Sequence, residues 1–196
     1  MVRSDPAGYT YGQPQVPASP VALHELAQLM ESVQWSPADD LALRRAGAIL
    51  APRTDEIVDV WYRFIEDSPH LVSTFVGKDG TPDPEYIRAV RRRFARWIDD
   101  LCNRPYDETW LAYQEEIARR HHLSGKNTTD GIESMSGHIP LRHVIALITP
   151  ITLTLRPFLQ SGSTGADDLQ QMLDAWLKAV TLTVALWARP YNETLW

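Results

Sequence analysis

The chain has a single cysteine, Cys102, in 196 residues, which excludes an internal disulfide and suits a reducing compartment such as the cytoplasm. It also lacks a positive excess. Nineteen Lys and Arg stand against 25 Asp and Glu, and the formal net charge of −6 argues against a nucleic-acid partner. No apolar run is uninterrupted over a membrane's width. The longest apolar stretch, residues 140–159, is broken by Arg142, His143 and Arg156 and reads as a buried helix with no role in a membrane. The first twenty residues are polar and proline-rich, unlike a secretory signal. Catalytic signatures are missing as well: there is no Gly-x-Gly-x-x-Gly and no phosphate-binding loop. His24-Glu25 opens a zinc-helix pattern, but Gln28 stands where its second histidine belongs, and no Glu-x-x-His pair supports a di-iron bundle. No residue is assigned a catalytic role.

What is present is helical periodicity from end to end. Hydrophobic residues at 44% and charged residues at 22% suit one sizeable core and one all-α domain, expected over 20–196 behind an irregular N-terminal extension, 1–19. Ser19-Pro20 and Ser36-Pro37 are helix-start signals, and the second of these helices is expected to run to about Leu50. Ile57, Val60, Trp61, Phe64 and Ile65 form the face of a third helix that stops near Ser68-Pro69. A helix opened by Asp83-Pro84 carries Val90, Phe94, Trp97 and Leu101 inward and Arg88, Arg91, Arg92 and Arg96 outward. Another runs from about Asp107 to His122, followed by a polar loop, 124–137. Two long helices then close the chain. One spans about Pro140 to Leu159, bent at Pro150 and Pro157; the last spans about Asp167 to Ala188.

The feature that points to chemistry is His121. Trp110, Tyr113, Ile117 and Ala118 form an apolar stripe, and His121 falls on it four residues after Ile117, while His122 lies about 100° further round. An inward imidazole is either a hydrogen-bonded core residue or an axial donor to haem iron. Haem also needs an apolar slot, cations near its propionates and a distal side. Trp61, Tyr62 and Phe94 are candidates for that side, as core residues or as pocket wall, and a tyrosine hydroxyl can donate to bound oxygen. Arg93 lies between Val90 and Phe94, where it can reach a propionate with its stem buried.

In combination, several stretches resemble the protoglobins, single-domain relatives of the sensor domain in globin-coupled sensors. They are Gly8-Tyr9-Thr10-Tyr11-Gly12, Val60-Trp61-Tyr62, Val90-Arg91-Arg92-Arg93-Phe94, Arg96-Trp97-Ile98, Tyr113-Gln114 and Arg120-His121-His122. They continue through Pro150-Ile151-Thr152, Pro157-Phe158-Leu159, Ala175-Trp176 and Val184-Ala185-Leu186-Trp187. The resemblance implies a globin fold with an additional N-terminal helix and an extension that covers the haem edge. His121 matches the proximal ligand of haem b, Trp61 and Tyr62 the distal residues, and Val90, Phe94, Leu147 and Ile151 the walls of the pocket and its tunnels. Ser73-Thr74 and Leu147 depart from the family's bulkier pattern, so a wider pocket is expected.

By that resemblance the chain is expected to bind O2, CO and NO reversibly at a five-coordinate haem iron, as a sensor or scavenger. A homodimer through the last two helices is also implied. No kinase, cyclase or methyl-accepting region follows Trp196, so signalling is expected to need a separate partner. The alternative is a haem enzyme: a peroxidase, a catalyst of nitric-oxide or nitrite chemistry, or an engineered carbene transferase.

Overall fold

The computed structural model describes residues 5–132, 134–192 and 194. Ten α-helices occur among them: α1 (Leu23–Ser32), α2 (Pro37–Leu50), α3 (Thr54–Glu66), α4 (Pro69–Val72), α5 (Pro84–Asn103), α6 (Glu108–His121), α7 (Leu141–Ala146), α8 (Ile148–Leu153), α9 (Arg156–Gln160) and α10 (Ala166–Ala188). Among the described residues there is no strand, only the isolated bridges Val76–Pro82 and Gly77–Ser134. None of the described helices is long and apolar enough to cross a membrane.

Local chemistry explains most boundaries. Asp83 accepts from the backbone N–H groups of Glu85 and Tyr86 and Asp107 from that of Trp110, which starts α5 and α6. Asp39 caps back onto Ser36 at 2.7 Å and also receives Lys178 of α10 at 3.0 Å, so one carboxylate starts α2 and ties it to the last helix. Two boundaries differ from expectation. The first helix begins at Leu23, because Ser19 accepts from the nearby Val21 N–H and Glu25 satisfies the Ala22 N–H at 2.8 Å. The stretch 140–159 is also three helices, not one bent helix. Pro150 and Pro157 have no N–H for the carbonyls of Ala146 and Leu153, and the interruptions fall at Leu147 and at Thr154-Leu155, just ahead of each proline.

The apolar faces converge on α10, which packs chiefly against α2, α6 and α8. Leu50, Ile57, Leu101, Leu159, Met172 and Trp176 are fully buried there. A second cluster, Val21, Leu26, Trp110, Leu111, Leu182 and Leu186, seats α1 against α6 and α10. Glu115 and Arg189 form a buried ion pair beneath the end of α6, with Arg119 on the same carboxylate. Ahead of α1, the segment 5–19 is tied down by side chains. The Tyr9 hydroxyl donates to the Asp100 carboxylate at 2.8 Å, Arg104 donates to the same group, and the rings of Tyr9, Tyr11 and Tyr113 pack together. Burial raises the pKa of both Tyr9 and Asp100, so the hydroxyl keeps the proton it donates.

Gly47 sets the closest approach of α2 to α5. A Cβ there would stand 2.6 Å from the Cys102 Cβ, which sits on helical backbone and cannot swing away. Alanine at this position would gain about 1 kcal/mol of helix propensity. Forcing the helices apart costs about 1–3 kcal/mol. The Gly47→Ala chain is therefore expected to be less stable in urea denaturation; a midpoint above that of the parent would refute this crossing.

Candidate functional site

A cavity of about 220 Å³ opens between α3, α5, α6, α7, α8 and α10. Trp61, Val90, Arg93, Phe94, Ile117, His121, Leu147 and Ile151, scattered over ninety residues of sequence, all line it. Tyr62 does not. Its ring lies behind this wall, packed against Phe75 and Phe94 with the Arg91 guanidinium over its face at 4.6 Å. Of the two small residues expected to widen the pocket, Thr74 lines the cavity and Ser73 does not.

His121 is held on several sides. Its Nδ1 lies 2.8 Å from the Ile117 carbonyl oxygen, one turn back on α6, which fixes the proton on Nδ1. The ring stacks on Trp187 at 4.8 Å and 23°, and the Trp187 N–H donates to Gln114 at 3.0 Å in the buried core. The Tyr191 hydroxyl donates to the His121 carbonyl at 2.9 Å, and the Ile139 N–H donates there too. Burial holds the imidazole below its ordinary pKa. The Ile117 carbonyl opposes that shift, and the Lys126 and Arg120 charges add to it. The result is a neutral imidazole whose Nε2 takes no hydrogen bond among the described residues. His122 is spent elsewhere: its Nδ1 pairs with Ser124 and its ring meets Tyr191 edge-on.

Across the cavity the walls are aromatic and nearly dry. The Trp61 N–H donates to Thr154 at 2.7 Å, and Thr154 in turn donates to the Pro150 carbonyl, so this indole offers the cavity only its ring. Phe94 packs on Trp61 at 4.8 Å and on Trp97 at 5.3 Å. The Trp97 N–H is buried without a partner among the described residues. Tyr86 brings a phenol to the wall, its pKa pushed up to about 12 by burial, the Asp130 charge adding to the shift and Arg93 opposing it.

The rim is charged but internally paired. Arg93 forms a two-pronged pair with Asp130 at 2.9 and 2.6 Å and donates to the Ala7 carbonyl at 3.0 Å. Arg120 donates to Glu116, to the Gly8 carbonyl at 2.9 Å and to Thr10 at 2.9 Å. Two rim arginines thus clasp the N-terminal segment beside the opening. Gly8 permits this: its φ is +75°, and a Cβ would stand 2.6 Å from Thr129 and 2.7 Å from Arg93.

Sequence reasoning missed Trp187 and Gln114 as supports of His121, and Asp130 as the partner of Arg93. Trp187 stands in a stretch that resembles the family, with nothing in the stretch to give it a role beside His121. Asp130 sits in the polar loop 124–137, where no periodicity speaks. The same loop supplies Gly125, Asn127 and Thr129 to the cavity wall and buries Lys126.

The donor set fits a flat apolar group carrying a metal and anionic edges. It has one neutral, unpartnered nitrogen, aromatic and aliphatic faces, and arginines confined to the rim. Among the described residues no cluster of three or more His, Cys, Asp or Glu could hold a bare ion. A metal arriving within its own macrocycle needs only one such donor from the protein.

Lys126 carries a pH dependence. Its Nζ donates to the Thr74 carbonyl, Asn127 and Ser134, yet burial pushes its pKa from 10.5 down to about 8. Between pH 8 and about 10 the unfolded chain retains a proton that the folded one has released, so this residue's contribution to stability rises with pH. Cys102 and the buried tyrosines titrate identically in a Lys126→Met chain and cancel in the comparison. The stability difference between the two chains is expected to move toward the parent across that window; a difference flat with pH would contradict the buried charge.

No curated protein matches the sequence. A family model does, and it covers most of the chain: Protoglobin, over residues 23–196. With its helical fold, its apolar cavity and a neutral histidine on the cavity wall, the chain belongs to the protoglobin family and is a haem-binding globin.

Proposed function

We propose that the cavity holds haem b through Nε2 of His121 and that the protein binds O2, CO or NO reversibly, in gas sensing or scavenging. The observation that carries this reading is the His121 imidazole, neutral by burial, oriented by Ile117 and Trp187, with its second nitrogen uncommitted beside an apolar cavity. Haem, when bound, supplies an iron with one position open to a diatomic gas. The chain supplies the rest. Val90, Phe94, Ile117, Leu147 and Ile151 give the apolar faces that exclude water. Arg93 and Arg120 stand at the rim, where the propionates of haem would compete with Asp130 and Glu116 for their guanidinium groups. Trp61 would give the bound group a flat wall. Tyr62, one layer behind, keeps its hydroxyl protonated by burial and backs Phe94, which forms the wall itself.

We also place the protein in the cytoplasm, where its unbridged Cys102 stays reduced, and read it as a homodimer through its last helices. Ile145, Leu153 and Leu177 are large apolar side chains exposed on α7, α8 and α10, a surface that association would cover.

Loading the chain with haem and recording absorption in ferric and ferrous forms tests the first reading. His121→Ala is expected to lose or displace the bound-haem band, while His122→Ala keeps it; a His121→Ala spectrum identical to the parent would overturn the assignment. For the second reading, light scattering after size exclusion is expected to give twice the 22.2 kDa chain mass, and Leu153→Glu with Leu177→Glu to give the single mass. A parent that elutes as a monomer at micromolar concentration removes the dimer.

A further inference from the structure

Outside the cavity, two histidines far apart in sequence meet. His70 on α4 and His143 on α7 have ring centroids 5.1 Å apart, with planes tilted by 45°. Neither imidazole makes a hydrogen bond among the described residues, and His70 is exposed while His143 is half-buried. From the geometry we propose that His70 and His143 form a site for a divalent late transition metal of the Zn²⁺ type, which bridges α4 to α7.

The spacing carries the argument. Zinc bonds a histidine nitrogen at about 2.05 Å, which puts the metal about 3.2 Å from the ring centroid. Two rings bound at a tetrahedral angle then have centroids about 5.2 Å apart. The observed centroid separation of 5.1 Å falls at that distance. Imidazole is the ligand that zinc, copper and nickel ions share, whereas magnesium and calcium prefer oxygen. No third side-chain ligand is at hand among the described residues, so water completes the coordination and the ion exchanges readily. Arg142, next to His143, adds a positive charge that weakens the site without blocking either ring.

The location gives the pair a structural consequence. Leu71 follows His70 and Val144 follows His143, and both of these neighbours line the cavity. A metal on the two imidazoles would staple the outer edges of two segments whose inner edges form one wall.

Calorimetric titration of the haem-loaded, tag-free chain with Zn²⁺ tests the site. One equivalent is expected to bind, and His70→Ala and His143→Ala are each expected to weaken it about 100-fold, since a second tethered donor multiplies affinity by that order. Saturating Zn²⁺ is expected to raise the thermal midpoint of the parent but not that of the double variant, because only the bridged native state gains. The haem band and the helical circular dichroism of each variant report that it folds. Binding that survives the double substitution, or no binding at millimolar Zn²⁺, overturns the proposal. Because metal uptake is read directly, it fails or succeeds independently of gas binding.

Discussion

One hydrogen bond governs the site: the 2.8 Å contact between His121 Nδ1 and the Ile117 carbonyl. An imidazole has two nitrogens, and a metal needs one of them unprotonated. By committing Nδ1 to a carbonyl, the helix decides which nitrogen carries the proton and leaves the other uncommitted beside the cavity. Burial then removes the competing charged form. The contact uses the Ile117 carbonyl in the last turn of α6, so the ring folds back along the helix that carries it. The position of His121 at the end of its helix is thus part of how it is prepared, and Trp187 and Tyr191 fix what the carbonyl leaves free.

Most of the helical scaffold was legible because its periodicity is strong and its starts are chemically marked. Asp83-Pro84 and Asp107 open helices where the Asp side chains cap the backbone, and Ser36-Pro37 opens one that Asp39 caps from within. The separation of His121 from His122 followed from counting residues around one helix, since a 100° step is enough to move a side chain off an apolar face. What stayed hidden depends on contacts between distant segments. Nothing local in Arg93 announces that its guanidinium is shared between Asp130 and the Ala7 carbonyl; read alone, it looks like a cation waiting for an anion. Trp61 similarly reads as an available donor until Thr154, ninety-three residues later, takes its N–H. Tyr62 sits next to Trp61 in sequence, yet one step of helical rotation places it behind the cavity wall.

The rim shows how a protein can keep charge beside a dry interior. Arg93, Arg120, Asp100 and Lys126 all lie near apolar surface, and each is matched by named acceptors or donors. Satisfied groups of this kind cost far less than orphaned ones. The arrangement also turns the N-terminal segment into a structural element without a helix: Ala7, Gly8 and Thr10 contribute two carbonyls and a hydroxyl, and Gly8 contributes the absence of a side chain.

The division of residues 141–160 into α7, α8 and α9 has its own consequence. A continuous helix transmits a displacement at one end along its whole ladder. Three short pieces separated at Leu147 and Thr154-Leu155 do not, and each answers to its own neighbours. The middle piece is latched to the opposite side of the fold at its C-terminal cap, where Thr154 binds both the Pro150 carbonyl and the Trp61 indole. This flank of the cavity is therefore built like the staves of a barrel, where one stave can be reshaped, by mutation or by an incoming molecule, while those beside it keep their places.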